Sequence, residues 1–156
     1  MIMIIKDIKE WYNVGLSHGV KIAEQESVEK AVKYLLKQEN IKLLLKDIFA
    51  RIPYGVKGIN SVGNISSPKD WKTEFTIEMA IKHSIAKYDW RPYLFPQSSM
   101  TNEQKEEYLD LVENQYRTDA NGNIFTLQDF YCKYHIDYRG LIPQGIAIDC
   151  TDLNIY

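Results

Sequence analysis

Apolar residues recur along the first fifty positions with the spacing of helices. Ile4, Ile5, Ile8, Trp11, Tyr12 and Leu16 follow the i, i+3/i+4, i+7 rule and predict an amphipathic helix ending near Gly15. Gly15, Gly19 and Ala23 would form a strip of small residues only if that helix continued. A second stripe, Val28, Ala31, Val32, Leu35 and Leu36, follows Ser27 as an N-cap. A third is Ile41, Leu44, Leu45, Ile48, Phe49 and Ile52. The five-residue step from Leu36 to Ile41 breaks the phase across Gln38-Glu39-Asn40. This predicts a helical hairpin whose core includes Leu35, Leu44, Leu45 and Ile48, with one bent helix as the alternative. Pro53 ends the pattern, because the residue before a proline disfavours helix.

The punctuation then changes. Gly55, Gly58, Gly63 and Pro68 predict short strands and turns. In the stretch 73–88, Phe75, Ile77, Met79, Ile81 and Ile85 alternate with polar residues, which predicts half-buried strand, as two strands or one bent by a bulge near Ala80, presenting Phe75, Ile77, Met79 and Ile81 to one face of a sheet. A helix over 78–87 is the alternative. Pro92 and Pro96 make residues 89–96 an extended connector. Thr101 and Gln104 have capping-box spacing ahead of a helix that turns Tyr108, Leu111 and Val112 inward. Asn121-Gly122 is a turn signal, and Thr126 caps a short helix built on Leu127, Phe130, Tyr131 and Tyr134. Ile146, Ile148 and Cys150 predict a last strand. The expected class is α+β: N-terminal helices followed by a small antiparallel sheet with two further helices packed on it. Residues 1–40 form an N-terminal helical segment and 41–156 an α+β domain, within one compact unit.

Composition narrows the setting. With 156 residues, 45% of them hydrophobic, the chain can bury a core large enough to offset the entropy of ordering. No apolar run approaches the roughly 18 residues that span a bilayer, and the start lacks a basic leader with a cleavage site. A soluble protein of the bacterial cytoplasm is expected. Two cysteines, Cys132 and Cys150, do not make a disulfide framework. The net charge of −2 hides a gradient: residues 1–60 hold ten Lys/Arg against seven Asp/Glu, and residues 101–156 hold four against ten. Basic residues diluted in this way count against duplex nucleic acid as a partner.

Three blocks carry a resemblance: Arg51-Ile52-Pro53-Tyr54-Gly55-Val56-Lys57, Arg91-Pro92-Tyr93-Leu94-Phe95-Pro96 with Ser98-Ser99-Met100-Thr101, and the run from His135 to Ile148 containing His-Ile-Asp-Tyr-Arg-Gly-Leu-Ile. In the same order they resemble motifs of a group of short uncharacterised proteins from phages, prophages and mobile elements of Bacteroides-type bacteria. Phe95, Ile136 and Gln144 stand where that group often has Arg, Phe and Lys. The resemblance covers 41–148 in pieces and implies no activity.

The chemistry on offer is sparse. His135, Asp137 and Arg139 form the most enzyme-like cluster, as general base, orienting carboxylate and anion holder of a small hydrolase or transferase. The competing structural role has Asp137 and Arg139 pinning a turn before Gly140 while Tyr138 packs inward. Cys132 and His135 share a helical face but lack the further ligands of a metal site, so neither metal nor cofactor is expected. Tyr54, Arg91, Tyr93 and Phe95 form an aromatic and basic set suited to protein contact, or to stacking on single-stranded nucleic acid. The preferred expectation is a non-enzymatic accessory protein binding a host or phage protein, with Tyr93 and Phe95 exposed on the connector. A second copy of the chain is another candidate partner.

Overall fold

The computed structural model describes residues 22–71, 76–118 and 121–156. The expected first helix, with Ile4, Trp11 and Gly15, lies outside them, as does Phe75. The chain divides into two units, 1–40 and 41–156. In the first, the described residues are helical. Helix α1, Ile22–Arg51, is continuous through the boundary. One helix therefore stands where the phase break predicted a hairpin, and Ser27 lies within it rather than capping it. A phase break in a stripe shifts which face is apolar, but backbone hydrogen bonding persists through Gln38-Glu39-Asn40, which contain neither glycine nor proline. Leu35 is 56% exposed, whereas Leu44, Leu45 and Ile48 are buried. Proline acts as expected: α1 stops at Arg51 and passes into a 3-10 turn, Ile52–Tyr54, closed by Gly55 at φ +74°.

The second unit is α+β. Its main sheet contains β1 (Gly58–Ile59), β2 (Ile65–Ser66), β3 (Arg91–Leu94) and β6 (Ile148–Asp149), in the order β2-β1-β3-β6. β1 pairs antiparallel with β2 and β3, while β3 pairs parallel with β6, so the sheet is mixed. Between β2 and β3 runs α2, Ile77–Tyr88. The expected strand through Phe75, Ile77, Met79 and Ile81 is thus a helix. Ile77, Ile81 and Ile85 are four apart, a spacing that alternation and a helical stripe share. Met79 distinguishes them: at 54% exposed it points away from the face that buries Ile81 and Ile85. Thr76 decides the local conformation by accepting the Met79 N–H as an N-cap.

Helix α3, Asn102–Asn114, begins with the expected capping box between Thr101 and Gln104. It buries Leu111, but Val112 is 50% exposed rather than inward. A hairpin follows, β4 (Tyr116–Thr118) and β5 (Ile124–Thr126), across the Asn121-Gly122 turn. Thr126 and Asp129 then cap α4, Leu127–Lys133. Two apolar clusters result. The larger joins Leu44, Leu45 and Ile48 of α1 to Val56, Ile81, Ile85, Trp90, Leu94, Leu141 and Ala147. The smaller joins Leu111, Phe130 and Ile136, with Tyr108, Phe125 and Tyr131 packed on it. Gly58 lets the layers approach, since a Cβ there would lie 2.6 Å from Trp90 Cε2 and 2.5 Å from the Arg91 carbonyl oxygen. Among the described residues no helix is long and apolar enough to cross a membrane.

Candidate functional site: the aromatic slot at His135

The segment from His135 to Leu141 is built around hydrogen bonds to its neighbours. Ile136 forms a parallel bridge with Phe95, fixed by Phe95 N–H to the His135 carbonyl at 2.9 Å and Asp137 N–H to the Phe95 carbonyl at 2.8 Å. Both Asp137 oxygens then accept backbone N–H groups, Leu141 and Ile142, each at 2.8 Å. Arg139 Nε donates to Asp47 Oδ1 at 3.2 Å. Tyr138 stacks on Tyr131 with ring centres 4.9 Å apart, and the guanidinium groups of Arg51 and Arg139 lie over its ring.

Asp47 and Arg51 are the residues that make this segment possible; of the two only Arg51 stands out in the sequence, within the first resemblance block, and their pairing does not. Both are fully buried one helical turn apart on α1. Arg51 donates through Nε to Asp47 Oδ2 at 2.6 Å and through Nη2 to Asp47 Oδ1 at 3.2 Å. It also reaches the carbonyls of Ile136, at 2.8 Å, and Tyr131, at 3.1 Å. The available signal was an oppositely charged i, i+4 pair inside the apolar arc of Leu44 and Ile48.

His135, Asp137 and Arg139 are therefore not joined to one another by hydrogen bonds. Asp137 closes a turn, Arg139 completes the Asp47 pair, and His135 Nδ1 is buried with no hydrogen-bond partner. His135 is 6% exposed and adopts φ +53°, a left-handed backbone uncommon outside glycine. Burial, with Arg51 and Lys57 adding repulsion, lowers its pKa to about 4 and keeps the ring neutral at pH 7.

What covers His135 is Tyr156. The two rings stack with centres 3.8 Å apart at 14°. The Tyr156 hydroxyl accepts the Lys57 backbone N–H at 3.0 Å and donates to the Tyr93 carbonyl at 2.9 Å. Phe95 lies on its side with ring centres 6.0 Å apart. Lys57 Nζ sits 5.6 Å from the Tyr156 ring centre and donates to the Ile155 carbonyl at 2.6 Å. Tyr156 as a whole stays 41% exposed, while its hydroxyl end is desolvated enough to push its pKa well above the ordinary tyrosine value. The result is a slot at the surface that grips one ring by stacking, one hydroxyl by main-chain groups and the adjoining carbonyl by a lysine.

The other expected binding residues are dispersed. Arg91 pairs with Asp89 at 3.6 Å. Tyr93 is 5% exposed on β3, so it is not an exposed anchor on a connector; the expected connector is an inner strand of the main sheet. Phe95 is half-buried against Tyr156. Tyr54 lies apart, in a groove of about 460 Å³ shared with Glu107, Arg117, Phe125, Asp129 and Lys133. Its hydroxyl donates to Asp129 at 3.0 Å, and burial with that bond pushes its pKa up to about 12. Glu107 is engaged there by Arg117, Lys133 and Tyr134. No protein family, no characterised protein and no solved structure matches the chain.

Proposed function

We propose that this protein is an accessory protein of a phage or mobile element that acts in the bacterial cytoplasm by binding a protein partner. The observation that carries the reading is the slot around Tyr156: a surface site with an aromatic wall, Phe95, an aromatic floor, His135, and main-chain groups of Lys57 and Tyr93 that bond a hydroxyl. Aromatic side chains seated in such pockets dominate protein interfaces, and main-chain groups at the base bond the hydroxyl of a seated tyrosine. The resemblance of the three sequence blocks supports the setting. The bonds that Asp137 and Arg139 make favour their structural role over hydrolase chemistry.

Affinity capture from lysate of a bacterial host tests the reading, with wild type compared to Phe95→Ala and Lys57→Ala. Losing a wall of the pocket should weaken capture of the same partner by about 2 kcal/mol, with the fold intact by circular dichroism. Equal capture by wild type and both variants would refute a partner site at the slot. Capture of nothing by wild type would count against the reading as a whole.

A further inference from the structure

We infer that the slot is a recognition pocket for an aromatic residue carried on a peptide segment, and that residues 151–156 are its resident, exchangeable occupant. The inference rests on the protein-binding reading and adds the class of ligand and its control. Three observations on the two sides of the contact carry it.

The first is the nature of the grip. Tyr156 is held by polar groups of Lys57 and Tyr93 and by stacking on His135 and Phe95, a set of contacts that reads a ring and a hydroxyl. Lys57 Nζ holds the carbonyl of the preceding residue, Ile155, so it reads backbone rather than side chain. Any peptide presenting a tyrosine in the same way can make all of these contacts. The second is the shallowness of the seat. Tyr156 keeps 41% of its surface exposed, and Leu153 of the same segment is 44% exposed. The segment makes short-range turns, Leu153 N–H to Cys150 and Ile155 N–H to Leu153, each 3.0 Å. The third is the state of the floor. His135 has a left-handed backbone and a buried Nδ1 with no partner, features that cluster where a site is kept ready for a ligand.

An internal occupant lowers the apparent affinity for an external one by the fraction of time the slot is open. If residues 151–156 fill the slot nine-tenths of the time, removing the ring should strengthen binding of a competing peptide about tenfold. The partner's segment and Tyr156 would then exclude each other.

The test is fluorescence anisotropy with a labelled hexapeptide of residues 151–156, Thr-Asp-Leu-Asn-Ile-Tyr, added to the full-length chain. Tyr156→Ala is expected to bind the peptide about tenfold more tightly than wild type. Tyr156→Phe, which keeps the ring, should bind more weakly than Tyr156→Ala. Adding Lys57→Ala to Tyr156→Ala should reverse the gain, and a peptide with its tyrosine replaced by alanine should not bind. Because Tyr156→Ala also removes the bonds that join residues 151–156 to Lys57 and Tyr93, a second measurement uses wild type alone. Excess unlabelled peptide should displace Tyr156 from His135 and Phe95, so that the ring protons of Tyr156 in isotope-labelled protein move toward the shifts of an exposed tyrosine. Equal affinity of wild type and folded Tyr156→Ala, or unchanged Tyr156 ring signals at saturating peptide, would overturn the inference. Lysate capture that depends on Phe95 yet is insensitive to excess peptide would overturn it as well while leaving the protein-binding reading standing.

Discussion

Replacing Arg51 by methionine tests whether the buried Asp47–Arg51 pair holds α1 to the segment around His135. Methionine keeps the length and much of the packing of the arginine stem while removing the charge and five possible donors. Three consequences follow from the geometry. Asp47 stays fully buried, with Arg139 Nε at 3.2 Å as its remaining cation. The Tyr131 and Ile136 carbonyls lose the guanidinium, although each still accepts a backbone N–H, from Ile136 and Tyr138. The cation over the Tyr138 ring at 5.5 Å also goes. The dominant cost is the under-compensated carboxylate, and breaking a buried pair from one side costs about 3–5 kcal/mol. A domain of this size is stable by about 5–15 kcal/mol in total, so the loss should be plain in urea unfolding followed by circular dichroism. The decisive comparison is the double variant Asp47→Leu/Arg51→Met. With the stranded charge gone, it should be more stable than Arg51→Met alone, as neighbours sharing one interaction are not additive. Arg139 can turn its guanidinium to water from its rim position, where its side chain is 17% exposed. A loss under about 1 kcal/mol for Arg51→Met, or a double variant less stable than the single, would refute the reasoning.

Two further outcomes are expected. Gly58→Ala should destabilise by about 1–3 kcal/mol, since its Cβ meets Trp90 and the Arg91 carbonyl, neither of which can retreat without moving β3; an unchanged melting temperature would contradict that packing. His135 has a folded pKa of about 4, below its ordinary 6.5, so between those values the unfolded chain binds a proton that the folded chain refuses. Stability should therefore fall as pH drops through this window, by about 2 kcal/mol between pH 7 and pH 5. His135→Asn, which tolerates a left-handed backbone, should flatten urea midpoints over that range. The lowered carboxyl groups of Glu107 and Asp129 lose their contribution at lower pH still.

Local rules carried the sequence reading a long way. The capping box at Thr101, the cap at Thr126, the stop at Pro53 and the stripe Leu44-Leu45-Ile48 all depend on residues within one or two helical turns of each other, and each is present in the structure. The structure departs from the sequence expectation where two periods share a spacing, at Ile77-Ile81-Ile85, and where an apolar stripe changes phase without the helix ending, at Leu36 to Ile41. The candidate site was legible only in fragments. His135 and Phe95 were singled out by type, but what unites them is Tyr156, brought there from 21 positions beyond His135 by contacts with no local signature. The ion pair of Arg139 with Asp47, 92 positions apart, is of the same kind. Long-range partners of charged residues follow from topology, and topology here turns on a parallel pairing that no turn motif announces.

That pairing sets the order of assembly. Tyr93 and Ile148 are register partners although 55 positions separate them, and the interval contains α3, the β4–β5 hairpin and α4. Those elements meet each other through short loops and share their own cluster at Leu111, Phe130 and Ile136. Closing a long loop costs entropy before its contacts return any stabilisation. The interval should collapse first and shorten the effective gap, with Phe95 and Ile136 zipping next and β6 docking on β3 last. Synthesised from its amino end, the chain cannot complete its main sheet until β6 has been made. A nascent chain shorter than that exposes the β3 edge, an open template on which other strands can add until β6 covers it.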